Sequence, residues 1–102
     1  VKLKPVNYRM IRDRVTPRSV LEHFGWRAVE STARSCRGPC PFHGSRGKGS
    51  RIFSCTLTVA YCHKCKWTGD ATALWAGFTA QPMLEAAHNV CHFAGIAVPT
   101  LQ

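Results

Sequence analysis

Two short segments, Cys40-Pro41-Phe42-His43 and Cys62-His63-Lys64-Cys65, constrain the fold more than anything else in the chain. Each sets two soft or borderline ligands two residues apart, and eighteen residues separate His43 from Cys62. A Cys-x-x-His or Cys-x-x-Cys turn bends the backbone enough for both side chains to reach one ion. Zinc takes thiolate sulfur and imidazole nitrogen in a tetrahedron. The pattern therefore predicts one structural Zn2+ held by Cys40, His43, Cys62 and Cys65. One such pair alone carries little; two at this separation carry the assignment. Cys36, four residues before Cys40, is a minor competitor as a ligand.

With 102 residues the chain suffices for one small domain. A domain this short buries a modest share of its surface, and a metal staple helps it. Hydrophobic residues make up 45% of it, which excludes a disordered tail. No apolar run approaches the roughly 20 residues a membrane span needs, and no signal segment opens the chain. The first residue is Val, as expected of a trimmed or excised piece. The net charge of +9, from 14 Lys and Arg against 5 Asp and Glu, points to a polyanionic partner, nucleic acid first. Of six Cys, three are assigned to zinc; Cys36, Cys55 and Cys91 are expected as free thiols in a reducing cytosol.

Residues 1–7 read as an extended arm. Met10, Ile11 and Val15 form a short helical stripe, opposite a basic face that is either solvated or a phosphate contact. Thr16-Pro17 starts a second helix with apolar Val20, Leu21 and Phe24, Gly25 stops it, and His23 faces outward. A strand-like segment from Trp26 to Arg34 leads into the first knuckle. The basic, glycine-rich loop 44–51 lacks a P-loop pattern; Arg46, Lys48 and Arg51 are expected to be exposed for phosphate contact. Ile52 to Leu57 alternates as a strand with Phe53, Cys55 and Leu57 on one face, Thr58 turns, and Val59 to Tyr61 returns. The result is a small antiparallel sheet with the zinc at one end. Tyr61 and Trp67 are read near the sheet surface, where they either stack on bases or join the core. Asp70 caps a helix expected to end at Gly77. A last helix from Pro82 to Gly95 buries Met83, Leu84, Ala87, Val90, Cys91 and Ala94. His88 and His92 are solvated, and residues 98–102 are a frayed tail or the start of a linker.

The Cys40-Pro41-Phe42-His43 string, the strand with Phe53, Cys62-x-x-Cys65 and Gly69-Asp70 before a helix together resemble the zinc-binding domain of bacterial and phage DNA primases. The resemblance spans about residues 8–97, and 1–102 is read as one such domain. It implies an α+β zinc ribbon, a small antiparallel sheet with a Cys3His zinc site at one end, flanked by N- and C-terminal helices. It also implies binding of single-stranded template DNA by the sheet face and neighbouring cations, in primer synthesis with a separate polymerase domain. By position Arg34 matches a basic residue of the family, and Arg37 flanks Cys36 with it. The segment Gly44 to Phe53 is longer than the family's and lacks its Thr-Pro. His63-Lys64 and Lys66-Trp67 replace a small glycine-rich tip, so Lys64 and Lys66 add cations near the expected nucleic-acid face.

Five scattered acids supply no cluster for two-metal chemistry, and four protein ligands close the zinc site. The expectation is a non-catalytic, cytoplasmic module of bacterial, phage or mobile-element origin. Its partners are single-stranded DNA and a primase polymerase domain, helicase or other replication protein, with no membrane role. The alternative is a protein-docking module that has lost DNA binding and presents a Leu74-Trp75-Phe78 corner.

Overall fold

A computed structural model describes residues 4–42 and 50–101. The chain enters through two short helices, each started by a side-chain cap. In α1 (Tyr8–Arg14) Asn7 Oδ1 accepts the Met10 amide at 3.3 Å, and Arg12 and Arg14 sit at the negative end of the helix dipole. In α2 (Pro17–His23) Thr16 Oγ1 accepts the Ser19 amide at 3.3 Å, and Pro17 takes the first position, where its missing N–H costs nothing. Gly25 then turns the chain at φ +90°, and the Trp26 amide closes back on the Leu21 carbonyl at 2.9 Å. These boundaries agree with the sequence reading because each is set by local chemistry.

Five short strands follow in a simple meander: β1 (Glu30–Ser31), β2 (Cys36–Gly38), β3 (Phe53–Cys55), β4 (Ala60–Cys62) and β5 (Thr68–Gly69), all antiparallel in the order β1-β2-β3-β4-β5. Period-two alternation turns Cys36, Gly38, Phe53, Cys55, Ala60 and Cys62 inward, where all are buried. The register aligns Glu30, Arg37, Ser54, Tyr61 and Thr68 across the opposite face. Hydroxyl-stabilised turns join β1 to β2 and β3 to β4: Thr32 Oγ1 accepts the Ser35 amide, and Thr56 Oγ1 accepts the Val59 amide, both at 3.2 Å. Leu57, read as sharing a strand face with Phe53 and Cys55, lies in the second turn beyond the strand and is exposed.

Asp70 Oδ1 accepts the Ala73 amide at 3.0 Å and starts α3 (Ala71–Thr79). Gly77 does not stop this helix. It continues to Thr79 and ends at Ala80 in the left-handed region, φ +56°. Helix α4 (Met83–Ala94) ends at Gly95, φ +72°, whose amide reaches the His92 carbonyl. The inward stripe of α4 is Ala86, Ala87, Val90 and Cys91; Met83 and Ala94, placed on it by sequence, are exposed because α3 covers a narrower, small-residue face. Met10 is likewise exposed on α1, where Ile11 is the buried residue.

The core joins Ile11, Val15, Val20, Leu21, Leu74 and Val90 of the helical layer to Trp26, Phe53 and Ala60 of the sheet. Near the described ends, Val6 belongs to it and Val98 packs against it. Val6 is buried and bridges Thr100, and the Asn7 amide reaches the Pro99 carbonyl at 2.6 Å. The arm and tail expected to be loose thus pair with each other over α4, where the His88 ring meets the Lys4 carbonyl at 3.3 Å.

One expectation about the cysteines is overturned. Cys36 and Cys55 stand directly opposite in the β2–β3 register, Cα atoms 5.4 Å apart, and are joined as a disulfide. Both occupy inward positions at the same rung, which brings their sulfurs together. Cys91 alone matches its reading as a thiol outside the cluster; burial in α4 pushes its pKa above the ordinary thiol value.

Candidate metal centre and the sheet face beside it

Strands β2 and β4 deliver the two knuckles to the same end of the sheet. The Sγ atoms of Cys40, Cys62 and Cys65 lie within 4.8 Å of one another, with Cys40 and Cys65 at 4.0 Å. Zinc–sulfur bonds of about 2.3 Å in a tetrahedron separate sulfurs by roughly 3.8 Å, so the donor set fits zinc in chemistry and in spacing. Cys40 and Cys62 are buried and Cys65 is exposed. The fourth expected ligand, His43, lies outside the described residues, as do Arg46 and Lys48.

The local chain prepares the sulfurs for a cation. The Phe42 amide donates to Cys40 Sγ and the Cys65 amide to Cys62 Sγ, each at 3.4 Å. Burial raises the Cys62 pKa, but the amides of Cys65 and Lys64 and the neighbouring Cys65 and Cys40 side chains outweigh it. The net result lies below the ordinary thiol value. The second knuckle closes with the Lys66 amide on the Cys62 carbonyl at 3.0 Å, and Lys66 is left-handed, φ +66°, where glycine would be unstrained.

Packing explains the residues around the ligands. Trp26 Nε1 donates to the Pro39 carbonyl at 2.6 Å and pins the chain just before Cys40. Phe42 points its ring at Gly77 of α3, where an added Cβ would come within 2.8 Å of the ring. Phe42 also meets Trp67 and Phe78, ring centroids 4.9 and 5.3 Å apart. The knuckle is thereby docked on α3, and Gly77 is the socket. Gly69 permits a second close approach: a Cβ there would stand 2.5 Å from Ala73 Cβ and 2.9 Å from the Trp67 ring.

The outward face beside the cluster carries Arg37, Ser54, Tyr61 and Thr68 in register. His63 lies against it, 3.3 Å from Ser54 Oγ and edge-on to Tyr61. Arg37, Lys64 and Lys66 are exposed, with Lys66 Nζ reaching the His63 carbonyl at 3.2 Å. Arg51 is also exposed but forms an ion pair with Glu30 at 2.8 Å. Arg34 stands in the β1–β2 turn. Trp67 is not on this face with Tyr61: one position before Thr68, it alternates inward and its ring packs toward Phe42 and Phe53. Leu74 is fully buried, which reduces the Leu74-Trp75-Phe78 corner to two half-buried rings. Trp75 stacks on His23, ring planes 10° apart, so His23 is exposed but not merely solvated. The socket at Gly77 and the disulfide escaped the sequence reading. A glycine amid helix formers and two Cys of inward parity were the available signals.

The architecture is therefore a small α+β domain, a five-stranded antiparallel meander flanked by helices with a thiol cluster at one end. No protein-family model matches the sequence. No curated protein matches it either. The crystal structure of the Aquifex aeolicus primase, comprising zinc-binding and RNA polymerase domains, is similar: TM-score 0.71 at 20% identity, over 88% of this chain and 22% of that one. At that identity the likeness is one of fold, and this chain spans about a fifth of that protein's length. Among the described residues no helix is long and apolar enough to cross a membrane.

Proposed function

We propose that the chain is a primase-type zinc module that binds single-stranded DNA on the outward face of its sheet. In this reading it contributes no polymerase chemistry and acts in primer synthesis with a separate polymerase domain in the cytoplasm. The carrying observation is the row Arg37-Ser54-Tyr61-Thr68 beside the thiol cluster, on a fold similar to one from a primase. A half-buried aromatic on a face flanked by cations suits a strand whose bases are unpaired and whose backbone is a polyanion. Cys40, Cys62 and Cys65, with His43 as the fourth ligand expected from sequence, would hold zinc, and the ion would join two strands in a structural role. The net charge of +9 supplies the long-range attraction.

Fluorescence anisotropy with a labelled single strand tests the reading. Binding is expected to weaken steeply with salt. Replacing Arg37, Lys64 and Lys66 by Ala is expected to lower affinity at least about tenfold and to flatten the salt slope by about 0.7 for each phosphate no longer neutralised. A zinc-loaded protein that binds no strand at low salt would sink the proposal.

A further inference from the structure

We propose that a second site, a cleft of about 210 Å³ at the end of β2 and β3 away from the knuckles, binds the phosphate of a nucleotide-sized ligand. Its walls are the β1–β2 turn, the β3–β4 turn and the start of α2, and its floor is the Cys36–Cys55 disulfide. Two arginines from different elements, Arg18 of α2 and Arg34 of the first turn, are among its lining residues. Arg34 has no side-chain bond or ion pair among the described residues, and only its amide is engaged, by Thr32 Oγ1. Arg18 meets Glu22 through Nε at 3.3 Å, and its two terminal nitrogens form no bond among the described residues. Among the described residues no carboxylate lines the cleft.

Two arginines at a space with no acid among its described lining residues, one of them keeping its terminal nitrogens open while its Nε meets Glu22, supply the chemistry that recognises phosphate oxygens in pairs. The walls are held in place: Thr32 and Ser35 hydroxyls bond each other at 3.2 Å, and the disulfide fixes one turn against the other. Exposed Leu57 at the rim offers an apolar surface for a sugar or base. The volume is below the roughly 300 Å³ at which drug-sized sites begin, so one phosphate with part of its nucleoside is the fitting occupant. The site is on the inward, disulfide side of the sheet and separate from the outward row. The phosphate can come from a free nucleotide or from the 5′ end of a strand.

The test is an amide-shift titration of the zinc-loaded protein by NMR. The probes are inorganic phosphate, adenosine monophosphate, and a short thymidine strand with or without a 5′-phosphate. Saturable shifts at Arg34, Ser35 and Leu57 are expected with adenosine monophosphate or with the phosphorylated strand alone, and which of the two acts identifies the source. The Arg18→Ala/Arg34→Ala double variant, altered at exposed groups only, is expected to bind at least tenfold more weakly with zinc content unchanged. Leu57→Glu, which sets a carboxylate at the rim, is expected to weaken it too. The absence of saturable shifts with every probe, or unchanged affinity in the double variant, overturns the proposal. The two readings fail separately: mononucleotide binding that depends on Arg18 and Arg34 stands even if the outward face binds no strand.

Discussion

Lys66 holds a left-handed conformation that glycine would adopt without steric cost, immediately after Cys65. A β-carbon there costs on the order of 1 kcal/mol, yet the position carries a cation beside the proposed strand-binding face. Lys66→Gly is expected to leave stability unchanged or raise it by up to about 1 kcal/mol, because relief of strain is partly offset by the freedom glycine adds to the unfolded chain. Strand affinity is expected to fall in the same variant. Thermal melting read beside anisotropy checks this, and a large loss of stability without loss of affinity would contradict it. Thr72 is a second residue out of keeping with its surroundings: its hydroxyl is fully buried in α3 and has no hydrogen-bond partner among the described residues. Val has nearly the same shape and no polar atom to desolvate, so Thr72→Val is expected to raise stability by about 1 kcal/mol. Denaturant unfolding at constant m-value measures it.

At the level of elements, the boundaries legible in sequence are those that a few neighbouring atoms decide. Thr16-Pro17, Asp70 and Gly95 each act on amides or carbonyls within one turn, and each falls where the sequence places it. The knuckles are legible for the same reason: ligand spacing is local, and β2 and β4 bring the three described thiols together. Elements set by distant partners are not. Gly77 reads as a helix stop by composition, but the helix continues through it, and the missing side chain instead makes room for Phe42, 35 positions earlier. Cys36 and Cys55 bond across strands whose register is set by the whole sheet. Trp67 turns inward by alternation with Thr68, which only the β4–β5 pairing defines. Gly69 is the sharpest test of such packing, because Ala73 Cβ is fixed on a helix and cannot rotate away. Gly69→Ala is expected to cost about 1–3 kcal/mol, a fall in melting temperature of at least about 4 °C in a domain of this size. A melting temperature within about 1 °C of the parent would refute the close approach.

For the molecule as a whole, the disulfide and the proposed zinc are crosslinks whose loops interleave: Cys36 joins Cys55, while the cluster joins Cys40 to Cys62 and Cys65. A disulfide closing 19 residues of chain restricts the unfolded state by about 3 kcal/mol when it acts alone. Once a metal joins Cys40 to Cys62, the path from Cys36 to Cys55 shortens to about 11 residues, and because closure entropy varies only with the logarithm of length the disulfide keeps all but about 0.5 kcal/mol of that effect. The binding free energy of a structural zinc, on the order of 10 kcal/mol, is also folding free energy. The two crosslinks are therefore expected to be nearly additive in the entropy they remove. Reducing the disulfide in zinc-loaded protein should lower the melting temperature by about 10 °C or more. Chelation alone should lower it markedly while leaving some helical signal, since α1 to α4 pack on one another and Val6 pairs with Thr100 without help from the cluster. Chelation with reduction should abolish the cooperative transition. Melting by circular dichroism in the four conditions decides it. A loss on reduction that vanishes in zinc-loaded protein would mean that the metal alone already fixes β2 against β3 and that the disulfide adds no restraint of its own.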